Sequence, residues 1–460
     1  MPISSFHGVE TALRGLLAQQ RAIDVTGHNI ANGATEGYTR QRVSSTASAS
    51  LGIQTSAGRA QLGSGVDITG VERIRDRFAD VQFRAQNTKL GAAEARASLL
   101  GQAELAFAEP GSSGLSNALG KLWSAFSDLA NAPSSSAARQ VLLDTARTTT
   151  TRFGALDEQL ATVQSQASEE LAALTGRGGP IDLAARELAG LNVAIGNAAS
   201  RNETPNDLLD RRDVLLDQLS SFAQVRVEPA LDGDGEELPG QVDVFVGNDP
   251  TPIVAGGAAR DPWALSFTGG DAGSGRLSAL ATVASSTGPV ASYRASIAAV
   301  ASELAGAVNG VHQAAGGPPI FVVPTGTPAT GVPRPPLAVA AAVDPMQGGS
   351  PSAFVAGSAG TNDVATALAA LRGGTADQHY TALVGQVGSQ VAQARSDEKT
   401  QASLQSAIED RRDAVAGVAI DEEMANLVRF QRGYQASARV LSTMDEMLDQ
   451  LINRTGRVGL

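Results

Sequence analysis

The feature that most constrains this chain is a pair of apolar helical stripes, one at each end of the sequence. Near the amino terminus, apolar residues recur at three- and four-residue steps or their sum, at Phe6, Val9, Leu13, Leu16, Ile23 and Ile30. Near the carboxyl terminus the same spacing is kept by Ile420, Met424, Leu427, Tyr434, Ala438, Leu441, Leu448 and Ile452. This period is typical of an amphipathic helix. Because neither helix can bury its apolar face alone, the pattern predicts that the two ends pair as an α-helical coiled coil.

The sequence between the stripes changes character at residue 223. Helical patterns dominate up to that point, whereas Val242, Val244 and Val246 recur at a period of two, as in half-buried strands. Leu265 and Phe267 form another such pair. We therefore predict a mainly α fold with a small β-rich domain. The expected units are a terminal coiled coil (1–42 with 421–460), a helical bundle (43–222, 276–315 and 377–420), a β-rich domain (223–275) and an outer insertion rich in Pro, Gly and Ala (316–376).

Local signals refine these boundaries. Asn32, Gly33 and Gly37 are expected to end the first helix, and Asp421 is expected to cap the last one. The stretch 43–72 is rich in Ser, Thr and Gly and is predicted to be irregular or β-like. Residues 318–351 hold nine of the 20 prolines, which excludes a helix there and predicts an exposed, loop-rich segment.

Charge and composition exclude several function classes. The 35 basic and 47 acidic residues give a net charge of −12, which disfavours binding to nucleic acid or to anionic lipid. The acidic excess lies between residues 43 and 420, so the two ends are nearly neutral. With no cysteine, the chain has no disulfide, thiol nucleophile or Cys-ligated metal. We expect neither a Sec-type signal peptide nor a membrane-spanning helix.

Candidate catalytic and ligand-binding patterns are weak. The four histidines lack metal-ligand spacing and are expected to be solvated or capping residues: His7, His28, His312 and His379. The stretch 114–121 has the wrong spacing for a phosphate loop and is better explained as helix. Asp232 to Glu237 begins like a calcium loop but lacks the required glycine, so a hairpin connection is favoured and ion binding at the surface stays open. The chain is predicted to be non-enzymatic, with no cofactor and no metal.

Two long motifs resemble a known family. Residues 22–41, which include Asn29-Ile-Ala-Asn and Gly37-Tyr-Thr-Arg-Gln, are similar to the amino-terminal signature of bacterial flagellar rod, hook and hook-associated proteins. His28 stands where that family usually has Asn, and Glu36 where Pro is common. Residues 421–449 resemble the matching carboxyl-terminal helix. The stretches 115–139, 188–192, 205–213 and 242–247 are similar to the hook-associated members, and the resemblance covers roughly 1–315 and 377–460.

The resemblance implies a structural role without chemistry. Such a protein would be a secreted, extracellular subunit of the flagellum, exported unfolded by the type III apparatus and placed at the junction between hook and filament. Its expected partners are further copies in a ring, the hook protein, a second hook-associated protein on the filament side, and an export chaperone on the carboxyl-terminal helix. The alternatives are another axial subunit, such as a hook or rod protein, and a type III-secreted translocator or adhesin.

The stripes and the resembling motifs together give a predicted assembly interface. Its residues are Phe6, Leu13, Leu16, Ile23, Asn29, Ile30, Asn32, Gly37, Tyr38, Arg40, Met424, Leu427, Phe430, Tyr434, Leu441, Leu448 and Ile452.

Overall fold

The computed structural model describes residues 6–55, 58–261, 263–265, 275–324, 335–357, 361–450 and 452. Long helices dominate this part of the chain, and the β structure is confined to small antiparallel sheets. The predicted fold class, mainly α with a small β portion, is confirmed. The division into domains stays a prediction.

The helices account for both ends and for most of the middle. They are α1 (His7–Asn32), α2 (Arg77–Phe107), α3 (Leu115–Asn131), α4 (Ser136–Thr175), α5 (Pro180–Ala199), α6 (Asn206–Phe222), α7 (Gly275–Ala284), α8 (Pro289–Ala314), α9 (Asp363–Ala369), α10 (Thr375–Ala416) and α11 (Ile420–Asp449).

The strands form four antiparallel sheets within the described ranges. They are β1 (Gln41–Ala47), β2 (Leu51–Thr55), β3 (Gly58–Leu62), β4 (Val66–Arg73), β5 (Val225–Leu231), β6 (Glu237–Val246), β7 (Val254–Ala255), β8 (Ala258–Ala259), β9 (Phe321–Val322) and β10 (Ala338–Val339). β1 pairs with β4, β2 with β3, and β9 with β10, while β5 to β8 form a four-stranded meander.

Short polar residues and glycines set the helix ends. The Asp76 side chain accepts the amide hydrogens of Phe78 and Ala79 at the start of α2, and Ser135 caps α4 in the same way. α10 ends at Ala416, before Gly417. α11 differs from the prediction, because its N-cap is Ala419 and Asp421 lies inside the first turn. An acid at that position still complements the positive end of the helix dipole.

The main core lies between α2, α3, α4, α8 and α10. Its centre consists of fully buried side chains such as Leu122, Phe126, Phe153 and Leu160. A second core packs α5 and α6 against the sheet of β5 to β8, with Ile181, Leu216 and Val244 inside. The predicted β-rich region therefore exists as a sheet on two helices.

Two sequence predictions for the chain after residue 260 are wrong: the exposure of 318–351 and a strand at Leu265. Residues 318–351 are not uniformly exposed, because Ile320, Phe321, Leu337 and Val343 are fully buried in the main core. The described residues of this segment form no α-helix, only short 3₁₀ helices at Pro345–Gln347 and Pro351–Ala353, but proline does not prevent apolar neighbours from packing. Leu265 is in no strand, and Phe267 lies outside the described residues.

The antiparallel pair of β1 and β4 packs along α1. Arg14 donates hydrogen bonds to Ser48 at 2.6 Å and to Asp67 at 3.0 Å, and His7 Nε2 lies 3.2 Å from the carbonyl oxygen of Gly63. Among the described elements, α1 packs mainly against α11, β1 and β4.

Candidate assembly site at the paired ends

The two terminal helices pair antiparallel along their length. A Cβ atom added at Gly8 would lie 2.9 Å from the Met444 Cε, and one at Gly15 would lie 3.4 Å from the Ser437 Oγ. At the other end of the pair, Asn29 hydrogen-bonds to Glu423. The predicted pairing of the two ends is present within a single chain.

The face of α1 that is most deeply buried is displaced from the predicted stripe. Its buried residues are Ala12, Thr26 and Asn29. Phe6 and Leu13 are exposed, and the other predicted α1 residues are half-buried: Leu16, Ile23 and Ile30. Small side chains let the helices approach each other, so the larger apolar groups lie at the edges of the pair or point away from it.

The carboxyl-terminal helix divides in the same way. Leu427, Phe430, Leu441 and Leu448 are half-buried. The other three predicted residues on this side are exposed: Met424, Tyr434 and Ile452. The paired ends thus leave large apolar side chains exposed. We call this set the outer stripe and define it as Phe6, Leu13, Leu17, Ile420, Met424, Val428, Tyr434, Val440, Met447 and Ile452.

The polar residues of the two terminal motifs lie instead in a cluster between the ends, the terminal clasp, which comprises Asn29, Tyr38, Arg40, Gln41 and Glu423. The Asn29 Nδ2 donates to the Gln41 carbonyl at 2.8 Å and to the Glu423 Oε2 at 3.1 Å. Its Oδ1 accepts from the Gln41 amide at 3.0 Å and from the Tyr38 hydroxyl at 2.8 Å. The Arg40 Nε donates to the Glu423 Oε1 at 2.7 Å. One amide side chain therefore joins the helix end, the following strand and α11.

The electrostatics of the clasp keep Tyr38 neutral. Burial, reinforced by the charges of Asp210, Asp207 and Glu423, raises the pKa of Tyr38 well above its ordinary value. The phenol is therefore a stable donor to Asn29. His28 lies beside it, with its Nδ1 3.0 Å from the Tyr38 hydroxyl.

The turn before Tyr38 requires glycine. Gly37 has a φ of +76°, and a Cβ there would lie 2.1 Å from the Val214 Cγ2. This close approach brings the loop after α1 against α6.

An arginine–aspartate cluster attaches the clasp to the bundle. Its members are Arg73, Arg75, Arg84, Arg412, Asp210, Asp213 and Asp217. Asp213 contacts Arg73 at 2.9 Å and both Arg75 and Arg84 at 3.1 Å. Asp210 also accepts the Thr39 amide hydrogen at 3.1 Å, which connects the cluster to the clasp loop.

The charges of this cluster are stable in the folded protein. Burial opposes ionisation of Asp213, but Arg75, Arg73 and Arg84 outweigh it and lower the pKa of that carboxyl. The aspartates stem from the motif at 205–213 and its continuation, and their three- and four-residue spacing places them on one face of α6. That spacing was the signal by which the sequence could have revealed the cluster.

The structure therefore separates the predicted interface residues into two groups. Asn29, Tyr38 and Arg40 have partners within the chain, as does Asn32, which donates to the His28 carbonyl at 3.1 Å. The apolar residues lie along the helix pair, partly between the helices and partly outward. Contact of any of them with a second subunit stays a prediction.

The weak ligand patterns have structural explanations. Residues 115–121 lie in α3, and the Asp232 carboxylate accepts the amide hydrogens of Asp234 and Glu236 in the turn between β5 and β6. Among the described residues, no group of three or more His, Cys, Asp or Glu side chains is placed to hold a metal ion. No described helix is long and apolar enough to cross a membrane.

His312 departs from the expectation of a solvated or capping residue. It is fully buried, with its Nδ1 2.6 Å from the Pro318 carbonyl and its Nε2 accepting the Val355 amide hydrogen at 2.8 Å. It therefore joins α8 to both flanks of the proline-rich segment.

Both ends of the chain match known families. Residues 10–39 match the family described as flagella basal body rod protein, and residues 414–454 match the carboxyl-terminal family of the flagellar basal body rod FlgEFG protein. These ranges cover most of α1 and all of α11. The paired ends define the class as flagellar axial proteins.

The middle and the whole chain narrow the class further. Residues 100–317 match the family described as flagellar hook-associated protein FlgK helical domain. The chain is 30% identical to flagellar hook-associated protein 1 of Bacillus subtilis (strain 168), over 98% of this chain and 99% of that protein. It belongs to the flagellar hook-associated protein 1 family. Members are flagellar structural proteins and are not known to be enzymes, which agrees with the predicted lack of enzymatic activity.

Two further relatives cover less of the chain. The hook-associated protein 1 of Salmonella typhimurium (strain LT2) is 29% identical over 48% of this chain and 38% of that protein. The flagellar hook junction protein FlgK from Burkholderia pseudomallei has a solved structure with a TM-score of 0.43 and 23% identity, covering 53% of this chain and 47% of that chain.

Proposed function

We propose that this chain is a structural subunit of the junction between the flagellar hook and filament, and that it assembles through the outer stripe. The main observation in support of this proposal is that the terminal helices are paired yet leave large apolar side chains exposed. Leu17 and Met424, for example, are each 50% exposed. Covering such a half-exposed side chain contributes about 1 kcal/mol, so repetition along both helices supports a stable interface.

The composition of the outer stripe favours one kind of partner. Both helices contribute to the outer stripe, and the ends carry little net charge, so another pair of similar helices fits it better than a charged polymer does. Further copies would form a ring, with the hook protein on one side and a second hook-associated protein or the filament on the other. Ring contacts would therefore be helix to helix, with no chemical step.

Export supplies a further partner. A chain that leaves the cell unfolded through the flagellar type III apparatus exposes the apolar residues of α11 before assembly. A chaperone on that helix would cover Met424, Val428, Val440 and Met447, which are exposed even in the paired state. The absence of cysteine is compatible with passage as an unfolded, unbridged chain.

The test is a charge placed on the outer stripe. Leu17→Glu alters an exposed residue, so the chain should fold as before. In cells that lack the wild-type protein, we expect this variant to be exported but to leave filament subunits free in the medium. The matched control, Gln20→Glu, introduces the same side chain at an exposed polar position of the same helix and should support filaments. Normal filaments on Leu17→Glu cells would contradict assembly through this surface.

Two alternatives have distinct outcomes. Immunogold labelling at the distal tip of isolated hooks supports the junction role, whereas labelling along the hook or within the rod indicates another axial subunit. A translocator or adhesin would bind liposomes or host cells, and the weakly aromatic, nearly neutral ends disfavour it.

A further inference from the structure

Glu423 is an acidic side chain in an unusual place. It is 2% exposed, and it is the one buried residue among the described positions of α11. Its Oε1 accepts from Arg40 at 2.7 Å and its Oε2 from Asn29 at 3.1 Å. A buried carboxylate is tolerated only where donors meet it. We propose that Glu423 fixes the register in which α1 and α11 pair.

The glycines of the helix pair provide a second, independent observation. Gly8 lies against the Met444 side chain, Gly15 against Ser437, and Gly433 against Gln19. All three contacts belong to the same antiparallel register as the contact between Asn29 and Glu423. The glycine contacts and the buried ion pair therefore belong to one alignment, at points spread along both helices.

The apolar residues do not specify that alignment. Side chains repeating at helical spacing meet similar neighbours again after a slip of one turn. Glu423 does not, because a slip of four residues would bring it opposite Val25 or Gly33, and neither side chain has a donor. A single buried polar residue is the best-attested way in which paired helices select one register.

The register matters for the proposed function, because it sets which residues of the two helices lie side by side on the outer stripe. This consequence rests on the proposed function. The register itself does not, and it is measured in the isolated full-length chain without assembly.

Engineered cysteine pairs can report the register, since the natural chain has no cysteine. Gly15→Cys with Ser437→Cys reports the native alignment, because a Cβ at Gly15 lies 3.4 Å from the Ser437 Oγ. Gln19→Cys or Thr11→Cys, each combined with Ser437→Cys, reports a slip of one turn in either direction. The measurement is the rate of disulfide formation after addition of an oxidant, quantified by mass spectrometry.

With Glu423 present, the native pair should cross-link at least about tenfold faster than either slipped pair. In Glu423→Leu, we expect the difference in rate to fall to about threefold or less, because the slipped registers no longer leave a buried carboxylate without donors. Asp421→Leu is the matched control: it removes an exposed acid from the same helical turn and should retain the wild-type ratio. Unchanged preference for the native pair in Glu423→Leu would overturn the proposal.

A second variant covers the case in which Glu423→Leu lowers the helical circular dichroism signal. Glu423→Gln keeps the side-chain shape, but because Arg40 and Asn29 donate to different oxygens of Glu423, one of the two donors would face the amide NH₂ group instead of an acceptor. Slipped cross-linking should then rise above that of Asp421→Leu, and equal rates in the two variants would refute the assignment. Filament loss in Leu17→Glu cells is a separate result, so failure of the register proposal and failure of the junction role are distinguishable.

Discussion

The arginine–aspartate cluster should determine how firmly α6 is held to α2 and α10. The perturbation is Asp213→Asn, which keeps the side-chain shape and removes one negative charge among three guanidinium groups. Its side chain is 16% exposed, so solvent screening is limited. Removing one partner of a buried ion pair costs about 3–5 kcal/mol.

The expected loss of stability in Asp213→Asn is smaller than this, because the three arginines have other carboxylate partners. Arg73 keeps its contact with Asp210 at 2.8 Å, and Arg84 keeps its contact with Asp217 at 2.7 Å. Arg75 keeps Asp80 at 2.6 Å, so none of the three guanidinium groups loses its last carboxylate. We therefore expect a loss of about 2–3 kcal/mol in local stability.

Hydrogen exchange is the appropriate assay, because a chain with two cores need not unfold in one step. The quantity measured is the protection free energy of amides in 206–222. Asp144→Asn is the control, since its side chain is 59% exposed and its 3.4 Å pair with Arg147 is a surface interaction worth at most about 1 kcal/mol. A loss in Asp213→Asn within about 0.5 kcal/mol of that control would refute the reasoning.

The sign of the pH dependence follows from the same residue. The pKa of Asp213 is lowered in the folded state from its ordinary value of 3.8. Its contribution is therefore complete above that value and disappears as the pH falls through the lower, folded-state pKa. The difference between wild type and Asp213→Asn should shrink in strong acid.

Two other predictions concern the main core. Leu122→Ala removes a fully buried side chain and should cost about 2–5 kcal/mol in urea unfolding, whereas Leu183→Ala, at a largely exposed position, should change the midpoint little. Burial lowers the pKa of His312 below its ordinary 6.5, so its contribution is present above 6.5 and lost as the pH falls further. Limited proteolysis of 318–356 should therefore increase on acidification in wild type but not in His312→Gln, and equal cleavage of the two proteins would contradict this.

The sequence predicted the helices well because their signals are local. The period of α1, the cap at Ser135 and the break at Gly417 each act within a few residues. The pairing of α1 with α11 was also predictable, since both faces carry an apolar excess. Its rotation was not, because Ala12 and Gly15 carry almost no hydropathy signal although they let the helices approach each other.

The polar features were predictable only as motifs. Asn29 and Glu423 are separated by 394 positions, and nothing in local pattern indicates that an acid on an exposed-looking turn becomes buried. The prediction that the segment containing Ile320 and Phe321 is exposed failed for a related reason. Proline content indicates backbone conformation, whereas burial depends on which neighbours pack against the segment in the fold.

The connection between the paired ends and the bundle has a mechanical consequence. α10 passes into α11 through only three residues, 417–419, and the return path from α1 runs beside it, where the Arg40 amide donates to the Ala416 carbonyl at 2.9 Å. Torque applied to the terminal helices reaches the bundle through these two adjacent backbone paths and through the contacts of the clasp loop with α6, at Gly37 and Thr39. A short connection with two adjacent backbone paths resists twisting about its own axis more than a single linker does. Because it contains few residues, bending between the terminal helices and the bundle is confined to it.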